Sequence, residues 1–308
     1  MKLLIELPNW MGDTIMSTPS INNLLDFYEN PKLTLIGSQV SIDLLKNLKY
    51  VEKTFVANSK SLRTYRNLSK LGDFDVFISF RSSLGSKVIK FFVSSKVKYQ
   101  FNKNIYTAGH LVERYNNFVN NSLNINSSPG KLFVNHEENI HIKTRKILGV
   151  NPGASYGSAK RWDPKKFAEV ALKLSDEFDI IIFGGPKELD IANRIEHELL
   201  RLEIKNFINL ANKTSISDLA NNIANLDFFI TGDSGPMHIA AALQIPSVTI
   251  FGPTDERETS QWMNERNTIV KKDLNCRPCL KRKCPLGHHN CMKNINAVDV
   301  LNAVKKLS

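Results

Sequence analysis

The chain contains no run approaching ~18 uncharged apolar residues, so no membrane-spanning helix is expected. Its amino terminus, MKLLIELPNW, offers only a few apolar residues before Pro8. That is too few for the apolar region of a secretory signal, and a cytoplasmic protein is the expectation. Cysteine is scarce: four in 308 residues, all between 276 and 291, which does not make a secreted disulfide scaffold. No G-x-G-x-x-G follows the first strand-like segment and Gly184-Gly185 lacks a third glycine, so a dinucleotide dehydrogenase has little support. A Walker A sequence is absent as well. Acidic residues are few in the first half. Residues 1–148 hold 20 Lys/Arg against 11 Asp/Glu, net +9, while 149–308 are net +2. Residues 46–103 alone carry 13 basic side chains, among them Lys53, Lys60, Arg63, Arg66, Lys70, Arg81, Lys87 and Lys90, against Glu52, Asp73 and Asp75. Such a stretch is either a solvated surface or a face for an anionic partner, and composition leaves both open.

What is present is an ordinary globular composition, 42% hydrophobic and 23% charged, long enough for two domains each with its own core. Short apolar runs alternate with helical spacing. KLLIEL (2–7) is followed by a helix over 14–28, then KLTLIG (32–37), a helix around 40–48, KTFVA (53–57), a helix around 61–71, DVFISF (75–80), a helix around 84–93 and KVKYQF (96–101). A helix over 110–124 and a polar connection to about 144 close this part. The rhythm restarts with ILGVNPG (147–153), a helix over 164–178, DIIIFGG (179–185), a helix over 187–202, FINL, a helix over 215–226, DFFITG (227–232), a helix over 236–244 and SVTIFG (247–252). Strands separated by helices form parallel sheets covered on both faces. Ligands bind such sheets outside the carboxyl ends of the strands, so chemistry is sought in the loops at 8–13, 152–161, 184–188, 232–238 and 252–257.

Three of these loops carry suitable residues. In NPGASYGSAKRW (151–162), glycines, Ser155 and Ser158 leave backbone N–H groups available, while Lys160 and Arg161 add charge suited to a diphosphate, although glycine turns beside a lysine are also common structural features. In TGDSGPMHIAAAL (231–243), Gly232, Gly235 and Pro236 shape a strand-to-helix turn whose exposed N–H groups attract anions. Asp233 there either caps the helix or accepts from sugar hydroxyls, with Ser234 and Gly235 facing phosphate; His238 donates to a ligand or packs in the first helical turn. In PNWMGDTIM (8–16), Asp13 is either the N-cap of the following helix or a general base for displacement at an anomeric carbon. Cys276, Cys279, Cys284 and Cys291, with His288 and His289 inside the last interval, fit either tetrahedral zinc or a reduced structural loop, and the second reading is preferred. Asp73-Phe74-Asp75 reads as turn chemistry before a strand, not as a metal-binding motif.

WMGDTIMSTPSINNLL, NPGASYGSAKRW, FITGDSGPMHIAAALQIPSVTIFGPT and CRPCLKRKCPLGHHNCM, taken together and in this order, resemble the glycosyltransferase family 9 heptosyltransferases, and within them the heptosyltransferase II group. The resemblance spans both halves. It implies an α/β GT-B fold, two Rossmann-like doubly wound domains facing a central cleft, with an acceptor-binding domain over 1–146 and an ADP-heptose-binding domain over 147–308. It implies inverting transfer of L-glycero-D-manno-heptose from ADP-heptose onto the first heptose of a phosphorylated lipopolysaccharide inner core. Asp13 is the implied base. Ser155, Lys160, Arg161, Asp233, Ser234, Gly235 and His238 are the implied donor contacts, Glu188 is the candidate for the adenosine, and Trp10, Arg63 and Arg81 are the candidates for the acceptor. No metal and no cofactor is implied. The sequence has Trp162-Asp163-Pro164 where the family pattern has Trp-Pro.

The remaining readings are a heptosyltransferase I type enzyme, a GT-B-like nucleotide-sugar epimerase and a nucleic-acid-binding module. An epimerase needs no basic acceptor domain, and the chain lacks the basic-aromatic strand motifs of RNA readers, so no nucleic-acid partner is expected. Peripheral contact with the anionic inner membrane is expected instead.

Overall fold

The computed structural model describes residues 1–57, 68, 70–137, 144–153 and 155–307. They fall into two compact units, Met1–Asn135 and His136–Ser308, against an expected boundary at 146/147. The helix expected around 61–71 lies almost wholly outside the described residues, as do Lys60, Arg63 and Arg66.

In the first unit the strands are β1 (Lys2–Glu6), β2 (Lys32–Gly37), β3 (Val51–Val56), β4 (Asp73–Ser79) and β5 (Ser94–Gln100), all parallel, in the order β3-β2-β1-β4-β5. Its helices are α1 (Met11–Met16), α2 (Thr18–Phe27), α3 (Gln39–Leu45), α4 (Leu84–Phe92) and α5 (Leu111–Leu123). The central strand β1 is buried on both faces after Lys2, as an apolar run in a covered parallel sheet requires.

The single helix expected over 14–28 is two. Pro19 has no N–H to give the Ile15 carbonyl, and the Thr18 hydroxyl bonds that carbonyl instead at 2.7 Å, so the chain breaks at Ser17. Helix α5 starts at a capping box: the His110 ring accepts from the Val112 N–H, and Glu113 accepts from the His110 N–H at 2.7 Å. Phe80 and Phe101, just past β4 and β5, meet Tyr115 and Phe118 of α5 edge to face and fix that helix to the sheet.

The second unit has β6 (Lys146–Asn151), β7 (Phe178–Ile182), β8 (Phe207–Asn209), β9 (Phe228–Gly232), β10 (Ser247–Ile250) and β11 (Asn267–Val270) in the parallel order β11-β10-β9-β6-β7-β8. Around them lie α6 (Pro164–Leu174), α7 (Leu189–Arg201), α8 (Ile216–Ala224), α9 (Gly235–Ala242), α10 (Glu256–Thr259), α11 (Asn290–Lys293) and α12 (Ala297–Lys305). Its core is aliphatic and aromatic, with Trp162 packed edge to face on Phe167 and donating its indole N–H to the Ile295 carbonyl. The additional residue Asp163 has a purpose: its carboxylate accepts from the Lys165 N–H and caps α6, with Pro164 at the first helical position. Among the described residues no helix is long and apolar enough to cross a membrane.

Asp73 and Asp75 lie within β4 and are not turn residues as expected from the sequence. Asp75 accepts from the Lys2 N–H and pairs with Lys96, and Asp73 accepts from Ser94, so both carboxylates tie down the amino edge of the sheet.

Candidate active site

In each sheet the strand order reverses beside the first strand of that unit, and the crevice of a doubly wound sheet opens at such a point. In the first unit this point lies between β1 and β4, flanked by the loop that leads into α1 and by the loop at 80–83. Helix α1 begins at Met11 with Trp10 as its N-cap, so Asp13 is the third helical residue and not the cap. A carboxylate in the first turn is favoured by the partial positive charge of the helix start. Its support is rigid. The Thr14 hydroxyl donates to the Pro8 carbonyl, the Ser41 hydroxyl bonds the same oxygen, and Ser38 donates to the Asn9 carbonyl at 3.1 Å. Asp13 is half-buried and Trp10 is 50% exposed. Burial, with the charge of Asp13 adding to it, pushes the Tyr115 hydroxyl well above its ordinary value.

Arg81 is turned inward. Its guanidinium donates to Glu6 at 2.9 Å and to Ser83 at 3.4 Å, and the side chain is 8% exposed. Glu6 is fully buried and also accepts from Ser79 at 2.6 Å and from Ser86. Burial pushes its carboxyl above the usual value, with Arg81 and the two hydroxyls pulling the other way. The guanidinium expected to meet an acceptor is thus engaged in a buried network below the loop. Glu6 went unnoticed in the sequence, where the one signal was an acid inside an otherwise apolar strand.

In the second unit the reversal lies between β6 and β9, and most of the expected donor residues gather there. Lys160 Nζ stands 2.6 Å from Asp233 Oδ2, with side chains 12% and 5% exposed, and also donates to the Asp233 carbonyl at 3.3 Å. Thr254, from the loop after β10, donates to the same carboxylate oxygen at 2.6 Å. One oxygen of the Asp233 carboxylate, Oδ2, is therefore taken up by the lysine and the threonine. Ser234 is the N-cap of α9, and Asn151 at the end of β6 donates to its hydroxyl at 2.9 Å. The ion pair cancels the negative charge beside the helix start and leaves the N–H groups there as the local anion-attracting feature. Gly235 opens the helix, and His238 is buried within its first turn. The Tyr156 ring lies 4.8 Å from Lys160 Nζ. Arg161 donates to the Lys187 carbonyl at 2.8 Å.

Glu188 is buried, with one carboxylate oxygen accepting from Ser155 at 2.7 Å and the other from the Gly185 N–H at 2.6 Å. It joins the loop after β6 to the loop after β7. Gly153 permits this, because a Cβ there would stand 2.0 Å from Glu188 Cγ. Thr254, Asn151 and Tyr156 are site residues that sequence reasoning missed. Thr254 was legible only as the last residue of the strand-to-loop block FGPT.

The cysteine segment is a strap across these loops. Arg277 donates to the Gly252 and Thr254 carbonyls, Tyr156 donates to the Leu280 carbonyl, and the Ala159 N–H donates to the Arg282 carbonyl at 3.1 Å. Gly157 fits under the strap, since a Cβ would stand 2.3 Å from that carbonyl oxygen. Cys276, Cys279, Cys284, Cys291, His288 and His289 help to line a cavity of about 20 Å³, and all four thiols are free. Among the described residues, no three His, Cys, Asp or Glu side chains are grouped to hold a metal ion.

The chain is similar to known proteins over its full length. Lipooligosaccharide heptosyltransferase 2 of Campylobacter jejuni is 41% identical over 100% of this chain and 99% of its own length. The structure of E. coli ADP-heptose LPS heptosyltransferase II superposes with a TM-score of 0.82 at 21% identity, covering 100% of this chain and 98% of that one. E. coli heptosyltransferase WaaC with ADP superposes with a TM-score of 0.79 at 17% identity, over 100% of both chains. Both carry the GT-B arrangement of two parallel-sheet α/β domains that the strand orders above describe. The family model of glycosyltransferase family 9 (heptosyltransferase) matches residues 70–290, which include β4 and every loop of the second-unit site, and the chain belongs to that family.

Proposed function

We propose that the protein transfers L-glycero-D-manno-heptose from ADP-heptose onto the first heptose of the lipopolysaccharide inner core. The observation that carries this reading is the meeting of Lys160, Ser234 and Gly235 at the β6/β9 reversal, in a chain alike over its full length to a heptosyltransferase 2. The second unit binds the donor. Its diphosphate lies at the start of α9, where the backbone N–H groups, Ser234 and the remaining N–H of Lys160 receive it. Arg161 and His238 flank it, and Asp233 fixes Lys160. Glu188 acts through Ser155 and Gly185, holding the loop against the adenosine.

The first unit binds the acceptor, with Trp10 exposed beside the base and Arg63 as the candidate contact to its phosphates. Arg81 acts on the acceptor through the loop it supports. Asp13 takes the proton from the acceptor hydroxyl, and that oxygen bonds to the anomeric carbon from the face opposite the diphosphate. The bond from that carbon to the diphosphate oxygen breaks, and ADP leaves with its electron pair. The developing negative charge is met by preorganised N–H groups and Lys160, so no metal is needed for this step. One displacement inverts the anomeric centre. The protein works at the cytoplasmic face of the inner membrane, held there peripherally.

The test is ADP release from ADP-heptose, followed by chromatography. Release that depends on an acceptor already bearing one heptose supports the reading; release equally fast without acceptor, or none with any inner-core acceptor, overturns it.

A further inference from the structure

Helix α4 is apolar on two sides. Ser86 and Ile89, with Val93 just beyond the helix, turn inward, and Ile89 and Val93 join a core with Phe74 and Phe77. On the opposite side Leu84, Val88 and Phe91 follow i, i+4, i+7 spacing and share one face. Leu84 is 77% exposed, Phe91 80% and the adjacent Phe92 43%, and the two phenylalanine rings meet edge to face with centroids 5.4 Å apart. Val97, on the neighbouring edge strand β5, is exposed too. Single exposed apolar residues are ordinary, but a contiguous set along one helix face marks an interaction surface.

The charge along this part of the chain is of one sign, and the preceding carboxylates, Asp73 and Asp75, are engaged by Ser94 and Lys96 at the amino end of β5. From residue 76 to residue 112 there is no Asp or Glu, while Arg81, Lys87, Lys90, Lys96, Lys98 and Lys103 all fall in that interval. Arg81 is paired with Glu6 and Lys96 with Asp75, and among the described residues the other four lysines have no acidic partner. Lys98 donates to the Lys90 carbonyl at 2.9 Å, which holds its ammonium near the end of α4, beside Phe91. An apolar ridge bordered by lysines complements a surface that is anionic outside and hydrocarbon beneath.

We infer that α4 and the adjoining β5 form the membrane-docking surface of this protein, with an anionic phospholipid bilayer as the occupant. Leu84, Phe91 and Phe92 enter the acyl boundary, and Lys87, Lys90 and Lys98 contact lipid phosphates. Helix α4 begins at the carboxyl edge of β4, the strand beside β1, whose loop carries Trp10. Nine residues at about 1.5 Å each make α4 roughly 13 Å long, so docking keeps that edge within one short helix of the lipid. The inference rests on the proposed reading of the acceptor as an anionic membrane lipid, and it adds the element that attaches the enzyme.

The test is sedimentation of the full chain with vesicles of phosphatidylethanolamine and phosphatidylglycerol, and with phosphatidylcholine alone, at low and physiological salt. Wild type is expected to bind the anionic vesicles and not the neutral ones. Phe91→Ser/Phe92→Ser should weaken binding about tenfold or more at either salt, because the apolar contribution is not screened. Its thermal midpoint and its heptose transfer to a water-soluble, deacylated acceptor should be unchanged. Lys87→Gln/Lys90→Gln should weaken binding by about fivefold per lysine at low salt and less at high salt. Vesicle binding that survives Phe91→Ser/Phe92→Ser overturns the inference, as does a wild type that ignores vesicles and dimerises through Phe91. Failure of the wild type to glycosylate the soluble acceptor speaks instead against the heptosyltransferase II reading, and the two failures are separate readouts.

Discussion

Replacing Lys160 by Met removes the cation from an ion pair whose side chains are 12% and 5% exposed, and keeps the length of the stem. Asp233 retains the Thr254 hydroxyl but loses its charge partner. Breaking a buried pair from one side costs about 3–5 kcal/mol, since the surviving charge stays in a poorly solvated place. For a unit the size of His136–Ser308 each kcal/mol moves the melting midpoint by about 2–4 °C, so a fall of roughly 6–20 °C is expected. Lys160→Met/Asp233→Asn removes the stranded charge and should recover most of that loss. ADP affinity should not follow. The proposed contact between Lys160 and diphosphate would be charge-assisted and worth about 1.5–3 kcal/mol, so its loss should weaken ADP binding about 10- to 150-fold in the single and the double variant alike. Differential scanning fluorimetry without ligand reads the first effect and titration calorimetry with ADP reads the second. A double variant that melts like wild type and binds ADP with wild-type affinity would mean that Lys160 does no more than neutralise Asp233 and makes no contact with diphosphate.

Asp13→Asn keeps the shape and removes the proposed base; kcat should fall by about 10²–10⁴-fold with ADP affinity unchanged, and near-normal turnover would reduce Asp13 to a first-turn helix residue. The His289 N–H holds the Cys284 thiol below its ordinary value, whereas burial pushes the Cys291 thiol up. Iodoacetamide at neutral pH should therefore alkylate Cys284 before Cys291 in peptide maps, and the reverse order contradicts the cysteine-segment geometry. Burial holds the folded Glu6 carboxyl above its ordinary value of 4.5, so the folded chain keeps this proton to higher pH than the unfolded chain does. The stability this contributes is complete below the ordinary value and is lost as pH rises through the folded one. The unfolding free energy of wild type minus that of Glu6→Gln, from urea titrations, should then decrease from acid to neutral pH, and a pH-independent difference contradicts it.

The alternation of apolar runs and helical spacing made both sheets legible, along with the loops where ligands bind, because each strand and helix here is specified by its own few residues. β11 was missed because NTIV is four residues long and shows no alternation, and α12 because the rhythm was not followed past the strand at 247–252. The single helix over 14–28 failed on one proline and one hydroxyl. At the site, residue types and loops were readable but partners were not. Lys160 and Asp233 are 73 residues apart, and Glu6 and Arg81 are 75 apart. No local pattern encodes such pairs; they follow from strand order, which brings β6 beside β9 and β1 beside β4. Thus Arg81 looked available for a ligand when it is paired with a buried acid, and Asp233, read as a helix cap or a sugar contact, anchors a lysine.

This chain is proposed to add the second heptose of the inner core. The most direct test is to incubate wild-type protein with ADP-heptose and either Kdo-lipid A or its monoheptosylated form, and to weigh the lipid products. A gain of one heptose residue is expected on the monoheptosylated lipid alone, abolished or nearly so by Asp13→Asn. Addition to the heptose-free lipid with none to the monoheptosylated one would contradict it.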